Sequence, residues 1–324
     1  LSKSDTRDGR TPVAPGAAPQ PELVDPKWLL KAGALTVLAA AVVAYLASCL
    51  LFYQGQWQLV LHPGPMQPVP AKLMPPHEDV RFAVDSSGQP TLHGWWIPAG
   101  NGAPMQADVL VYFPGGSGAL SSRTDKFTYL HRQQINIFAF DYRGYGDSET
   151  IRPSQQSIAQ DALATVQYLT QTRHVPLAHM IFYGEGIGCF AAVRAAAENP
   201  GVAAIIFSDP ELSQRPVFES DGRTHLLPLN LLLRDVFSLE PDLSKLQTQT
   251  LVLSTIGTSQ SHESAQQVYA AVHAPKQILQ AKPAAGPDAL TADFDAFLRK
   301  IFPVPGATPA APESAPATTP RREK

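Results

Sequence analysis

Residues 180–198 read Met-Ile-Phe-Tyr-Gly-Glu-Gly-Ile-Gly-Cys-Phe-Ala-Ala-Val-Arg-Ala-Ala-Ala-Glu. The first four residues are an apolar run of strand length, and residues 189–198 form an alanine-rich helical pattern. Between them Gly184, Gly186 and Gly188 alternate with Glu185 and Ile187. A chain that passes from strand to helix in so few residues needs backbone conformations that glycine tolerates best. The stretch predicts a buried strand, a sharp turn, and a helix packed back on the sheet.

The same alternation continues in both directions. Residues 109–113, 135–140, 202–207, 251–254 and 277–279 predict further buried strands. Helical patterns at 121–133, 155–172, 263–272 and 290–301 separate or follow them. Residues 80–84 and 91–97 predict an antiparallel opening pair. Buried strands alternating with helices imply an α/β fold: a mostly parallel sheet with helices on both faces. One such domain is expected over 80–302, with the partly helical interval 211–246 as a cap over the strand ends.

Upstream, residues 32–53 form 22 consecutive residues without a charge. As a helix at about 1.5 Å per residue they span roughly 30 Å of hydrocarbon. Lys27 and Lys31 precede the run, and the next basic residue after it is Lys72. The positive-inside rule then keeps the N-terminus in the cytoplasm and exports the domain, with a bacterial inner membrane and periplasm as the expected setting. Within the run, Leu46-Ala-Ser-Cys49 resembles a bacterial lipobox, so lipidation at Cys49 is the alternative to a retained span. Six prolines between His62 and His77 make residues 54–79 an expected extended stalk. Residues 1–31 and 303–324, rich in Ala, Pro and Thr, are expected to be disordered.

Composition excludes several classes. The net charge is −3, so no broad basic surface exists to neutralise phosphates, and nucleic acid is not an expected partner. Two cysteines, Cys49 and Cys189, cannot build a disulfide framework. No Cys/His run has zinc spacing, and neither a metal nor a cofactor is expected. Gly184-x-Gly186-x-x-Cys189 touches the dinucleotide fingerprint, but its third position is Cys and several strands precede it.

Three motifs carry a family resemblance: Val109-Leu-Val-Tyr-Phe-Pro-Gly-Gly-Ser-Gly118, Asp141-Tyr-Arg-Gly-Tyr-Gly-Asp-Ser148 and Tyr183-Gly-Glu-Gly-Ile-Gly188. On these, residues 110–209 resemble the core of an α/β-hydrolase, in the branch of membrane-anchored serine hydrolases related to acyl-protein thioesterases and monoacylglycerol lipases. The resemblance implies an oxyanion loop around Gly115 and Gly116, and a nucleophile elbow at 184–188 whose Ile187 N–H would share the oxyanion hole.

It also implies a triad, and here the chain departs. An elbow reads Gly-x-Ser-x-Gly, but Gly186 occupies the serine's place, and residues 176–207 contain neither Ser nor Thr. Gln260 stands where the acid is expected and Pro287 near the place of the base; no histidine follows His273. Asp209 could occupy an alternative acid position, with no base to orient. Loss of all three groups predicts a pseudoenzyme whose backbone oxyanion hole survives and whose pocket holds an acyl or lipid ligand, or else has filled with side chains.

Other residues are read more plainly. Cys189 is expected to be a buried, inert thiol. His262 and Glu263 read as a solvated helix start, and Asp141 and Arg143 as a pair bracing their own loop. Of Trp95 and Trp96, one is expected in the core and the other against the stalk or bilayer. The functional classes are then a membrane-tethered binding or assembly partner, an active esterase, lipase or thioesterase with displaced groups, and a structural envelope protein.

Overall fold

The computed structural model describes residues 25–85, 88–282 and 290–303. The chain divides into two compact units, 1–51 and 52–324. The first contains most of helix α1 (Pro26–Gly55), which is long and apolar enough to cross a membrane and buries none of its residues against protein. The helix begins at Pro26, so residues 26–31, read above as disordered, are its first turns. Proline is pre-organised for a first helical position, and Asp25 accepts from the Lys27 N–H at 2.9 Å. Cys49 lies inside α1, which runs on to Gly55. The remaining expectations for the head and tail fall on 1–24 and 304–324, outside the described residues.

The second unit is the α/β domain. In chain order it holds β1 (His62–Pro63), β2 (Glu78–Phe82), β3 (Leu92–Ile97), β4 (Met105–Phe113), β5 (Ser117–Gly118), α2 (Thr124–His131), β6 (Ile135–Asp141) and α3 (Gln155–Gln171). Then follow β7 (Met180–Glu185), α4 (Gly188–Glu198), β8 (Ala204–Ser208), α5 (Arg215–Ser220), α6 (Leu229–Leu232), α7 (Glu240–Leu243), β9 (Gln249–Ser254), α8 (Ser259–Ala271), β10 (Lys276–Gln280) and α9 (Thr291–Ile301). Eight strands form one sheet in the order β10-β9-β8-β7-β4-β6-β3-β2. Pairing is parallel from β10 to β6 and antiparallel at β3 and β2. This is the α/β-hydrolase fold.

Every residue of β6 and β8 is buried, because helices cover both faces of the sheet. One core layer holds Phe113, Phe140, Phe182 and Phe207; the other holds Leu110, Tyr112, Ile181, Tyr183 and Ile206. Their alternation along β4, β7 and β8 follows from the period of two in a strand. The interval 211–246 is pinned by Phe218 and Phe237, both buried, by the Phe190–Phe237 edge contact at 5.4 Å, and by Arg194 on Asp242 at 3.3 Å.

Residues 54–79 are not a free-standing stalk. Val60, Leu61 and Met74 are buried, and Met66 and Val69 pack on the same cores. Prolines keep the segment extended, but the apolar residues between them gain more by burial than by standing in water. Trp95 is buried and meets the His77 ring at 4.7 Å, so it is both core and segment contact. Trp96 instead lies under Arg173, whose guanidinium carbon is 5.0 Å from the ring centroid.

Candidate functional site

The turn after β7 sits in mid-sheet, where β7 lies between β4 and β8. Gly186 occupies it in the left-handed region at φ 53°. Its N–H donates to the Ser208 carbonyl at 2.9 Å, and its own carbonyl accepts from Cys189 N–H at 3.0 Å as α4 begins. The glycines here have different reasons. A Cβ on Gly188 would stand 2.0 Å from the Phe113 carbonyl oxygen, so close approach of α4 to β4 excludes any side chain. A Cβ on Gly186 would meet no atom of the described residues within 4 Å. The backbone therefore presents position 186 outward at the tip of the elbow, and the sequence supplies no hydroxyl there.

The glycine loop after β4 approaches this turn. A Cβ on Gly115 would lie 3.3 Å from the Glu185 carbonyl oxygen, and one on Gly116 would lie 3.0 Å from Ile187 Cδ1. The carbonyls of Gly115, Gly116 and Ser117 are engaged. Arg123 donates to Gly115 O at 3.2 Å and to Ser117 O at 2.7 Å, while Gly116 O accepts from His62 N–H at 2.7 Å and Tyr145 hydroxyl at 3.0 Å. Among the described residues, the N–H groups of Gly116 and Ile187 donate to none of the others. Gly116 also faces the Val60 carbonyl, 2.8 Å from its would-be Cβ, with Leu61 Cδ2 at 3.5 Å. The segment after α1 thus walls the loop on one side.

Asp209 follows β8 with φ 47°. Its carboxylate accepts from Thr255 N–H at 2.7 Å, Ile256 N–H at 3.2 Å, Ser261 hydroxyl at 2.9 Å, and the Thr255 hydroxyl. These bonds tie the end of β8 to the end of β9 and to the start of α8. Asp209 is consumed as a clamp, a role its sequence context did not reveal. Gln260, on the exposed first turn of α8, lines a separate groove of about 570 Å³ with Glu211, Arg215, Glu240 and Glu263. Pro287 lies outside the described residues.

Burial sets the electrostatics. Tyr112 donates to Glu185, and burial, reinforced by that carboxylate, pushes the phenol well above its ordinary range. Lys126 faces the Tyr183 ring at 5.9 Å; Tyr183, Glu185 and Asp209 together raise its ammonium above the usual range. It borders a cavity of about 350 Å³ lined by Tyr183, Leu253, Thr255, Ile256, Ala281 and Phe294 among others. Cys189 is fully buried, its Sγ 3.2 Å from the Gly184 carbonyl, and burial raises the thiol, which disfavours a thiolate at this position.

Two other residue readings are corrected. Asp141 and Arg143 do not pair with each other. Asp141 accepts from Leu120 N–H at 3.0 Å, and burial pushes its carboxyl up to about 7. Arg143 reaches outward to Asp161 at 2.6 Å, across to α3. His262 is half-buried rather than solvated and its Nε2 lies 2.9 Å from the Ala281 carbonyl, at the end of β10. Sequence reasoning missed Arg123, Tyr112 and Lys126 because nothing near them in the chain marks their partners.

Comparison with known proteins agrees with the fold. An uncharacterised protein of Mycobacterium tuberculosis, Rv2307c, is 32% identical over 219 residues, covering 66% of this chain and 74% of that one. The uncharacterised protein YfhR of Salmonella typhimurium is 27% identical over 201 residues, 57% of this chain and 67% of that one. Among solved structures, the esterase Pf2001 of Pyrococcus furiosus superposes with a TM-score of 0.55 at 14% identity, over 75% of this chain and 98% of that one. Residues 105–279 match the family of serine aminopeptidases, S33, and the chain belongs to that family of the α/β-hydrolase superfamily.

Proposed function

We propose that this protein is a membrane-anchored, non-catalytic α/β-hydrolase that holds an acyl or ester ligand and serves as a binding or assembly partner at the bilayer. The observation that carries the reading is Gly186 at φ 53°, at the one place in the elbow open to a side chain. A triad without its nucleophile keeps only what an oxyanion hole and binding supply, several orders of magnitude less. Asp209 is occupied by backbone and hydroxyl donors and orients no histidine. The ligand's acyl chain takes the cavity beside Tyr183 and Phe294. Lys27 and Lys31 hold the N-terminus in the cytoplasm, α1 spans the inner membrane, and the domain is exported.

The test is the full chain in detergent, treated with a fluorophosphonate and measured by intact mass, with its lipid extract analysed in parallel. The expected result is no covalent adduct and a co-purified acyl compound. A stoichiometric adduct would overturn the non-catalytic reading. Absence of any acyl compound would leave a scaffold and remove the ligand. The rival esterase reading has its best hydroxyl in Ser261, which donates to Asp209 at 2.9 Å and to which such an adduct would map.

A further inference from the structure

Residues 52–56, at the end of the apolar helix, belong to the same compact unit as the α/β domain. They are tied to the interval between β8 and β9. Gln56 is buried; its Nε2 donates to the Leu232 carbonyl at 2.9 Å, and its Oε1 accepts from the Arg234 N–H at 2.9 Å. The Arg234 guanidinium carbon stands 5.1 Å from the Tyr53 ring centroid, and Phe52 meets Phe218 edge-on at 6.4 Å.

On this same interval are two leucines that none of the described residues covers. Leu226 is 85% exposed and Leu231 81%, both above Leu30 of the apolar helix at 74%. Neither is on a loose tip. Leu231 sits in α6, one residue from the carbonyl that Gln56 holds. Leu226 follows Thr224, a buried residue whose hydroxyl donates to the Phe218 carbonyl at 2.6 Å. The exposed residues between and beside them are Arg223, which pairs with Asp221, and His225, Pro228, Asn230 and Arg234. Leucines projecting beside basic residues are the composition of a surface that dips into a headgroup region.

We propose that this face, centred on Leu226 and Leu231, docks on the bilayer that holds α1. The occupant is a lipid surface because the face is fastened to residues 52–56, which emerge from hydrocarbon wherever the helix spans. The two leucines enter the acyl boundary and Arg234 lies at the phosphate level. The inference rests on the membrane-anchor part of the proposed function, and it is independent of whether the elbow is catalytic.

The test uses the full chain with Cys49→Ser, reconstituted in vesicles of phosphatidylcholine and phosphatidylglycerol. An environment-sensitive fluorophore is placed on Leu226→Cys, Leu231→Cys or, as control, Gln171→Cys. Gln155, at the start of α3, is bonded to Asp235 and Phe237 of the same interval, so Gln171 lies about 24 Å along the helix from that face. The expected result is blue-shifted emission at 226 and 231, quenched severalfold by acyl-chain spin labels, with no quenching at 171. Adding Leu226→Glu to the 231 probe should reduce its quenching. No quenching at any position in chains that float with the vesicles would overturn the docking and leave the anchor standing. Equal quenching at all three would overturn the specific face. Chains that do not float would overturn both. Protection of the leucines by a second copy, seen as crosslinks between Leu226→Cys residues, would overturn the lipid as occupant.

Discussion

The main-chain N–H of His62 donates to the Gly116 carbonyl at 2.7 Å, so the segment leaving the apolar helix is hydrogen-bonded to the glycine loop after β4. His62 and Pro63 then pair in parallel with Ser117 and Gly118. The linker is thereby a structural part of the domain and one wall of its glycine loop. The proline count alone suggested a spacer.

Leucines of that segment should separate by burial. Leu61 is 1% exposed and Leu73 is 51% exposed. Leu61→Ala should cost about 2–4 kcal/mol through lost burial and a residual cavity. Leu73→Ala should change stability by about 0.5 kcal/mol or less. Urea midpoints of the two variants check this, and equal midpoints would return the segment to a free linker.

The elbow glycines make a second contrast. Gly186→Ser has room for its side chain and pays only for a left-handed backbone, roughly 1–2 kcal/mol. It should remain folded and gain no ester turnover, because among the described residues no group lies within 4 Å of its Cβ to act as a base. Gly188→Ala collides with the Phe113 carbonyl oxygen at 2.0 Å and should fail to fold or lose most of its stability. Expression, melting and p-nitrophenyl ester hydrolysis read all three outcomes.

Asp209→Ala tests the clamp. The substitution removes the carboxylate acceptor of the Thr255 and Ile256 N–H groups and of the Ser261 hydroxyl, which keeps the Ser254 hydroxyl at 2.7 Å as a partner. Destabilisation of about 1–2 kcal/mol is expected from loss of the charge-assisted bonds, since the exposed Thr255 and Ile256 N–H groups can turn to water instead. A catalytic acid would instead show lost turnover with an unchanged midpoint.

Asp141 predicts a pH dependence with a definite sign. Burial raises its carboxyl from 3.8 to about 7 in the folded protein. Folding therefore binds a proton between those values. The associated stability is fully present below about pH 4 and is lost as pH rises through about 7. At about 1.4 kcal/mol per pKa unit, the loss is on the order of several kcal/mol. Asp141→Asn keeps an acceptor for the Leu120 N–H and should flatten the fall between about pH 4 and pH 7, leaving the smaller contribution of Asp161, raised to about 6. Denaturation midpoints across that range decide it.

The fold was legible because its signals are local. Apolar runs of strand length, helical patterns between them, and glycines at 184, 186 and 188 each describe their own neighbourhood, and the eight-stranded sheet follows from their order. The missing hydroxyl at 186 was equally readable, since a residue's identity needs no coordinates. What sequence misjudged were relations between distant residues. Arg143 finds Asp161 rather than Asp141 because its loop points it at α3. Asp209 becomes a clamp because β9 brings Thr255 and Ser261 to it.

By itself, the sequence determined the α/β class, the apolar helix and the absence of a serine in the elbow, all consequences of periodicity and residue identity. Only the tertiary structure decided that residues 54–79 pack on the domain, that the carbonyls of the glycine loop are held by Arg123, His62 and Tyr145, and that Leu226 and Leu231 stand uncovered. Those outcomes depend on which surfaces long-range packing brings together, and the free energy of burial is set by neighbours that lie far apart in the chain.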